Sequence, residues 1–212
     1  MAKLEPSQTI AWNKISIKVP QGWEIDSLDK THMLIGEEGS PRLEIKWTDA
    51  PPKFTLEKYL KQFVSKSQKL LNIKIHELPT PSSFLHLERP FEFFFFSWKS
   101  RSLIGKGTMI FCRHCKRLTM IRFFQGTDMF SNSPASLILT SFRDHSETNE
   151  THWQLFGLDF SIPASFEPKE YSFKPGAYVL TFKYKKTKLT IFSWGPASFL
   201  LSKTDLPQFA RI

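Results

Sequence analysis

A short pattern near the start of the chain returns 143 residues later, and that recurrence narrows the available folds more than any other feature. Ile15, Ile17 and Val19 alternate with polar residues and lead into Pro20, Trp23 and Glu24. Leu158, Phe160, Ile162, Pro163, Phe166 and Glu167 repeat the series in the same register. Period-two alternation marks a strand with one buried face, and Pro20-Gln21-Gly22 ends the first such run. Further on, Leu43 and Ile45 match Leu189 and Ile191, and Leu60, Gln62 and Phe63 match Leu206, Gln208 and Phe209, at an offset of 146. The chain therefore reads as one copy of about 145 residues and part of a second. The polar stretch from His145 to His152 places the boundary, giving a first domain over 1–147 and a partial repeat, mainly strands, over 148–212.

Within the first copy the pattern predicts a strand from Trp12 to Val19 and further strands over 31–36 and 42–47, parted by the turn Glu38-Gly39-Ser40-Pro41. Residues 55–71 carry Leu56, Tyr59, Leu60, Phe63, Val64, Leu70 and Leu71 at helical spacing, with Thr55 as N-cap and Lys58, Lys61, Lys66 and Lys69 toward the other face. Strands are predicted over 73–78, 84–88, 91–98, 102–112 and 117–124. Ser133-Pro134 opens a second helix, with Leu137, Ile138 and Phe142 as its apolar stripe. These elements predict an α+β fold, an antiparallel sheet flanked by helices, followed by the partial β-rich repeat.

Twenty-one Phe and six Trp supply a core that needs neither disulfides nor metals. Two cysteines do not make a secreted disulfide framework, no apolar leader follows Met1, and no apolar run reaches membrane-span length. The expected location is the cytoplasm. The net charge of +9 is concentrated, because residues 99–125 hold seven cations and no anion. Such a patch suits an acidic partner.

The strand with Pro20-Gln21-Gly22-Trp23, the meander, the long amphipathic helix, the long hairpins and the closing Ile138-Leu139-Thr140-Ser141-Phe142-Arg143 resemble the PsbP/DcrB-like superfamily over residues 10–145. That superfamily includes the Ran-binding Mog-type fold. The resemblance implies an antiparallel sheet flanked by helices and used to bind other proteins. Its members share no common chemistry, so it assigns no role to single residues.

Catalytic signatures are missing. No His-Glu-x-x-His or Gly-x-Ser-x-Gly pattern occurs, and residues 93–127 contain no carboxylate. Gly105-Lys106-Gly107-Thr108 lacks the spacing of a phosphate loop and sits in a strand pattern, where the two glycines allow close packing. Cys112-Arg113-His114-Cys115 supplies two of the four ligands a zinc ion needs, with His86 as a distant third. The motif falls at a hairpin tip, so Cys112 and Cys115 read as structural, with no metal and no cofactor.

The leading reading is a non-enzymatic protein-interaction module, an adaptor or a subunit of a larger assembly. Phe160, Ile162, Phe166, Phe182 and Tyr184 in the partial repeat are its expected partner surface. The alternative is a nucleic-acid-binding protein. It would use Arg101, Lys106, Arg113, Lys116, Arg117 and Arg122 on the 99–125 hairpins, with Lys183, Lys185, Lys186 and Lys188 as a second anion-binding strand. An enzyme is the third reading.

Overall fold

The computed structural model describes residues 7–81, 84, 90–124, 133–146, 148–197, 201–202 and 206–209. The chain divides into two compact units, Met1–His145 and Ser146–Ile212. The first holds β1 (Ser7–Trp12), β2 (Ile15–Pro20), β3 (Glu24–Asp29), β4 (His32–Glu37), β5 (Ser40–Asp49), α1 (Leu56–Leu71), β6 (Lys74–Leu78), β7 (Phe91–Lys99), β8 (Ile104–Cys112), β9 (Arg117–Phe124) and α2 (Pro134–Ser141). The second holds β10 (Glu150–Leu155), β11 (Leu158–Pro163), β12 (Glu167–Lys174), β13 (Ala177–Tyr184), β14 (Thr187–Trp194) and the single turn α3 (Leu206–Phe209).

This corrects the expected α+β class. Fourteen strands stand against two helices of eight residues or more among the described residues, and the sheets are antiparallel. The physical reason is that, among the described residues, the second unit adds five strands and no helical element longer than the four residues of α3.

In the first unit a seven-stranded sheet runs β3-β4-β5-β9-β8-β7-β6. Alternation sends its side chains to two faces. One face carries Phe96, Trp98, Met109, Phe111 and Leu118, and Leu56, Leu60 and Phe63 of α1 join that cluster. The opposite face carries buried Leu43, Ile45, Phe95, Ile110, Ile121 and Phe123. Phe142, just past α2, meets Phe91 of β7 on that side. The buried set also includes Ile138 and Leu139 of α2 and Trp12, Ile15, Ile17 and Val19 of the β1–β2 hairpin. The Ser133 hydroxyl caps α2 by accepting from the Ser136 amide, with Pro134 in the first turn. Thr55 holds the N-cap position of α1 but its side chain makes no capping bond.

Two expectations change in detail. The strand predicted from Trp12 to Val19 is broken at Asn13 and Lys14, both with positive φ, and becomes the turn of the β1–β2 hairpin. The strand predicted over 84–88 lies outside the described residues apart from Phe84, which is buried against Phe93 and Phe95.

The second unit opens as the first does. Ser7↔Pro20 through Trp12↔Ile15 in the first hairpin correspond pair by pair to Glu150↔Pro163 through Leu155↔Leu158 in the second. The turn after each hairpin also recurs, with the Trp23 amide donating to the Pro20 carbonyl and the Phe166 amide to the Pro163 carbonyl. A three-stranded meander follows in both, β3-β4-β5 and β12-β13-β14. Trp153 and Phe160 of the second hairpin pack on Phe182 of its meander, at 4.8 and 6.2 Å between ring centroids.

Candidate functional site

The β8–β9 turn brings the Cys-x-x-Cys motif to the segment that follows α2. Cys112 ends β8 and is fully buried, and Cys115 is half-buried in the turn. Lys116 after it adopts a left-handed φ of 56° that closes the turn into β9. Asp144, 1% exposed, and His145 reach the same place from the end of α2. The Cys115 thiol donates to Asp144 Oδ2 at 3.1 Å, and Cys112 Sγ lies 3.7 Å from His145 Nδ1. His145 Nδ1 stands 2.6 Å from Asp144 Oδ1. One ligand atom from each of these four residues lies within 4.8 Å of all the others. Arg117 donates to the backbone carbonyl of Asp144, which ties β9 to this segment. His114 is not in the cluster, but its ring stacks on His145 at 4.9 Å.

Burial pushes the Cys115 thiol well above its ordinary range, and the neighbouring Asp144 carboxyl and Cys112 push it the same way. Cys112, the first cysteine of the motif, is fully buried at the end of a strand and does not open a helix, which opposes a thioredoxin-type role. No local pattern marks Asp144 and His145 as ligands. They lie 29 and 33 residues along the chain from Cys115 and Cys112, and only the fold joins them. His86 lies outside the described residues.

Three of the predicted anion-binding residues are already engaged by acidic groups. Arg113 pairs with Glu92 at 2.6 Å. Arg117 is 8% exposed and sits 3.7 Å from Asp49. Arg122 donates from Nε to Glu44 at 2.6 Å and lies over Trp98 and Phe124. Lys106 is half-buried, whereas Arg101, Lys116, Lys183, Lys185, Lys186 and Lys188 are exposed. Gly105 and Gly107 lie within β8, paired to β7 and β9, so the glycines serve strand packing.

The predicted partner residues divide between the interior and the surface of the second unit. Phe182 and Ile162 are buried, Phe160 and Phe166 are half-buried, and Tyr184 is exposed. Phe182 and Phe160 pack with Trp153, and Phe166 packs with Tyr184. The exposed aromatic pair of this unit is a different one. Phe192 and Trp194, each 50% exposed, stack at 5.2 Å on β14.

β14 is the terminal strand of its three-stranded sheet. Lys188, Thr190, Phe192 and Trp194 share one of its faces, and Leu189 and Ile191 share the other. Lys188 stands directly across from Lys183, and Lys185 and Lys186 form the turn between them. No helix among the described residues is long and apolar enough to cross a membrane. No family model matches the chain, and no curated protein matches it.

Proposed function

We propose that this chain is a non-enzymatic protein-interaction module, an adaptor or a subunit of a larger assembly. Its partner is an extended acidic segment of another protein, taken along the β14 edge. One observation carries the reading. In the first unit the strand matching β14 is β5, and β9 covers it in the register Leu43↔Phe123 and Ile45↔Ile121. In the second unit Leu189 and Ile191 occupy the matching positions, and no described strand lies on the outer side of β14.

An open edge presents a row of backbone donors and acceptors that template another strand. Strand addition satisfies them, and side-chain pockets supply the selectivity. Lys183 and Lys188 face each other across the β13–β14 ladder, and like charges so placed repel. Glu167 answers Lys183 from β12, but no strand answers Lys188 on its outer side. An incoming strand with carboxylates near Lys186 and Lys188 and an apolar residue near Phe192 and Trp194 relieves both features. The resemblance to the PsbP/DcrB-like superfamily supports a protein partner. A cytoplasmic location belongs to the same reading and is supported by two free cysteines. The nucleic-acid reading is weaker because Glu92, Asp49 and Glu44 hold three of the arginines it relied on.

The test is a photo-crosslinking amino acid at position 192, with position 66 on the exposed face of α1 as control. A discrete protein adduct is expected from 192 and not from 66. It should vanish when Lys186 and Lys188 are changed to Glu, with the melting temperature not lowered, because Lys183 then faces an opposite charge. Adducts only within this chain, or the same adducts from both positions, would refute the proposal.

A further inference from the structure

We infer that Cys112, Cys115, Asp144 and His145 form a closed, four-ligand site for a zinc ion that fastens the β8–β9 turn to the segment after α2. The donors are Sγ of both cysteines, Nδ1 of His145 and one carboxylate oxygen of Asp144. Two thiolates with an imidazole and a carboxylate suit zinc and not the hard cations magnesium or calcium.

The distances fit an ion of that size. Zinc bonds of about 2.3 Å to sulfur and about 2.0–2.1 Å to nitrogen put sulfur and nitrogen about 3.6 Å apart at a tetrahedral centre. Cys112 Sγ and His145 Nδ1 are 3.7 Å apart. The same geometry sets two sulfurs about 3.8 Å apart and nitrogen and oxygen about 3.3 Å apart. The donors here all fall within 4.8 Å, and the shortest pair, His145 with Asp144, stands at 2.6 Å and needs to open by about 0.7 Å.

Burial adds an independent argument. The Asp144 side chain is 1% exposed, and its carboxylate meets the Cys115 thiol and His145, both members of the cluster. A carboxylate that deep is costly unless paired or metal-bound. The neighbouring Arg117 is turned to the Asp144 backbone carbonyl and not to its carboxylate. A divalent cation between the four donors removes the cost, and binding sends the two thiol protons to solvent. All four positions are filled by protein, so the ion has no open coordination site and its role is structural.

The full chain, reduced and stripped of metal, is titrated with Co²⁺ and Zn²⁺ alone. One equivalent of Co²⁺ should bind with a sulfur-to-cobalt charge-transfer band and the strong visible absorption of a tetrahedral site, and Zn²⁺ should displace it. Zinc should also raise the melting temperature of the metal-free chain, because it binds the folded state. Cys112→Ser, Cys115→Ser and His145→Ala should each lower zinc affinity by more than about 100-fold, beyond the loss typical of an outer-shell partner. Asp144→Asn should weaken it by about 10–100-fold and alter the cobalt spectrum. If a cysteine variant does not fold, competition between the unmodified chain and a chromophoric chelator still decides the matter. Sub-stoichiometric or absent binding, zinc retained by the Cys112→Ser/Cys115→Ser double variant, or a Cys112–Cys115 disulfide that takes up no metal after reduction would each overturn the site.

Discussion

Glu44 gathers three basic side chains around one carboxylate that is 7% exposed. Lys46 Nζ lies 2.9 Å away, Arg122 Nε 2.6 Å and His32 Nε2 3.1 Å. Burial pushes its carboxyl up, but the hydrogen bond from Lys46 and the charge and hydrogen bond of Arg122 outweigh it, and the net shift is downward. A carboxylate shifted down on folding adds stability above its unfolded pKa, near 4.5, and loses it as the pH falls through the folded value. Glu44→Gln is therefore expected to cost about 1–3 kcal/mol near neutral pH, the worth of hydrogen bonds to a charged group. The deficit should shrink as the pH drops below the ordinary carboxylate range. Urea unfolding of both proteins from neutral to acidic pH reads this directly, and a deficit independent of pH would show that packing, not charge, is responsible. Local alternation put Glu44 on a strand, but nothing in the sequence paired it with Arg122, 78 residues away. For that reason local pattern alone offers Arg122 to an external anion, whereas the fold gives it Glu44. Asp144 and His145 were invisible as ligands for the same reason, since ligand sets built from distant segments carry no local period.

At the scale of elements, the glycines of β8 show what local pattern can and cannot deliver. A Cβ at Gly105 would strike the Phe123 carbonyl of β9 and come within 2.7 Å of the Trp98 ring on β7. One at Gly107 would come within 2.7 Å of both the Ile121 carbonyl and the Phe96 ring. Each glycine thus clears space for a large ring opposite it in register, Trp98 for Gly105 and Phe96 for Gly107. Gly107→Ala is expected to lower stability by about 1–3 kcal/mol through overpacking. Gly39→Ala has open space around its added methyl and should cost only the strain of its positive φ. A melting comparison of the two checks this, and equal losses would remove the packing explanation. That these glycines packed inside a strand was legible from alternation, as were α1 and the start of α2. The Asn13-Lys14 turn was not, because two non-glycine residues adopt positive φ there and no breaker marks it. Nor was β3, where a register shift between Ile25 and Ser27 spoils the alternation.

At the scale of the molecule, the two units start from one plan and then diverge. Both begin with a hairpin in the same register and a three-stranded meander. The first then inserts β9, β8, β7 and β6 beside its meander. The second spends its aromatics on a small interior, with Phe182 and Trp153 at its centre, and shows Phe192 and Trp194 outside. Phe182→Ala should therefore cost about 3–5 kcal/mol by opening a cavity. Phe192→Ala should stay within about 0.5 kcal/mol, as surface changes do. Denaturant curves separate the two, and a large loss for Phe192→Ala would make it a core residue. The repeat was legible because strand alternation and Pro-bounded turns are written locally. The balance of helix and strand was not, because the second copy's composition does not announce which elements it lacks. The two plans also differ in what folding must wait for. Every ladder inside the second unit joins chain neighbours across a short turn or loop. In the first unit β5 must find β9, and even their nearest pair, Asp49↔Arg117, is separated by the whole of α1 and three strands. Closing that loop costs entropy before any contact repays it. The ladders inside the second unit thus close at a lower entropic cost than the β5–β9 ladder of the first.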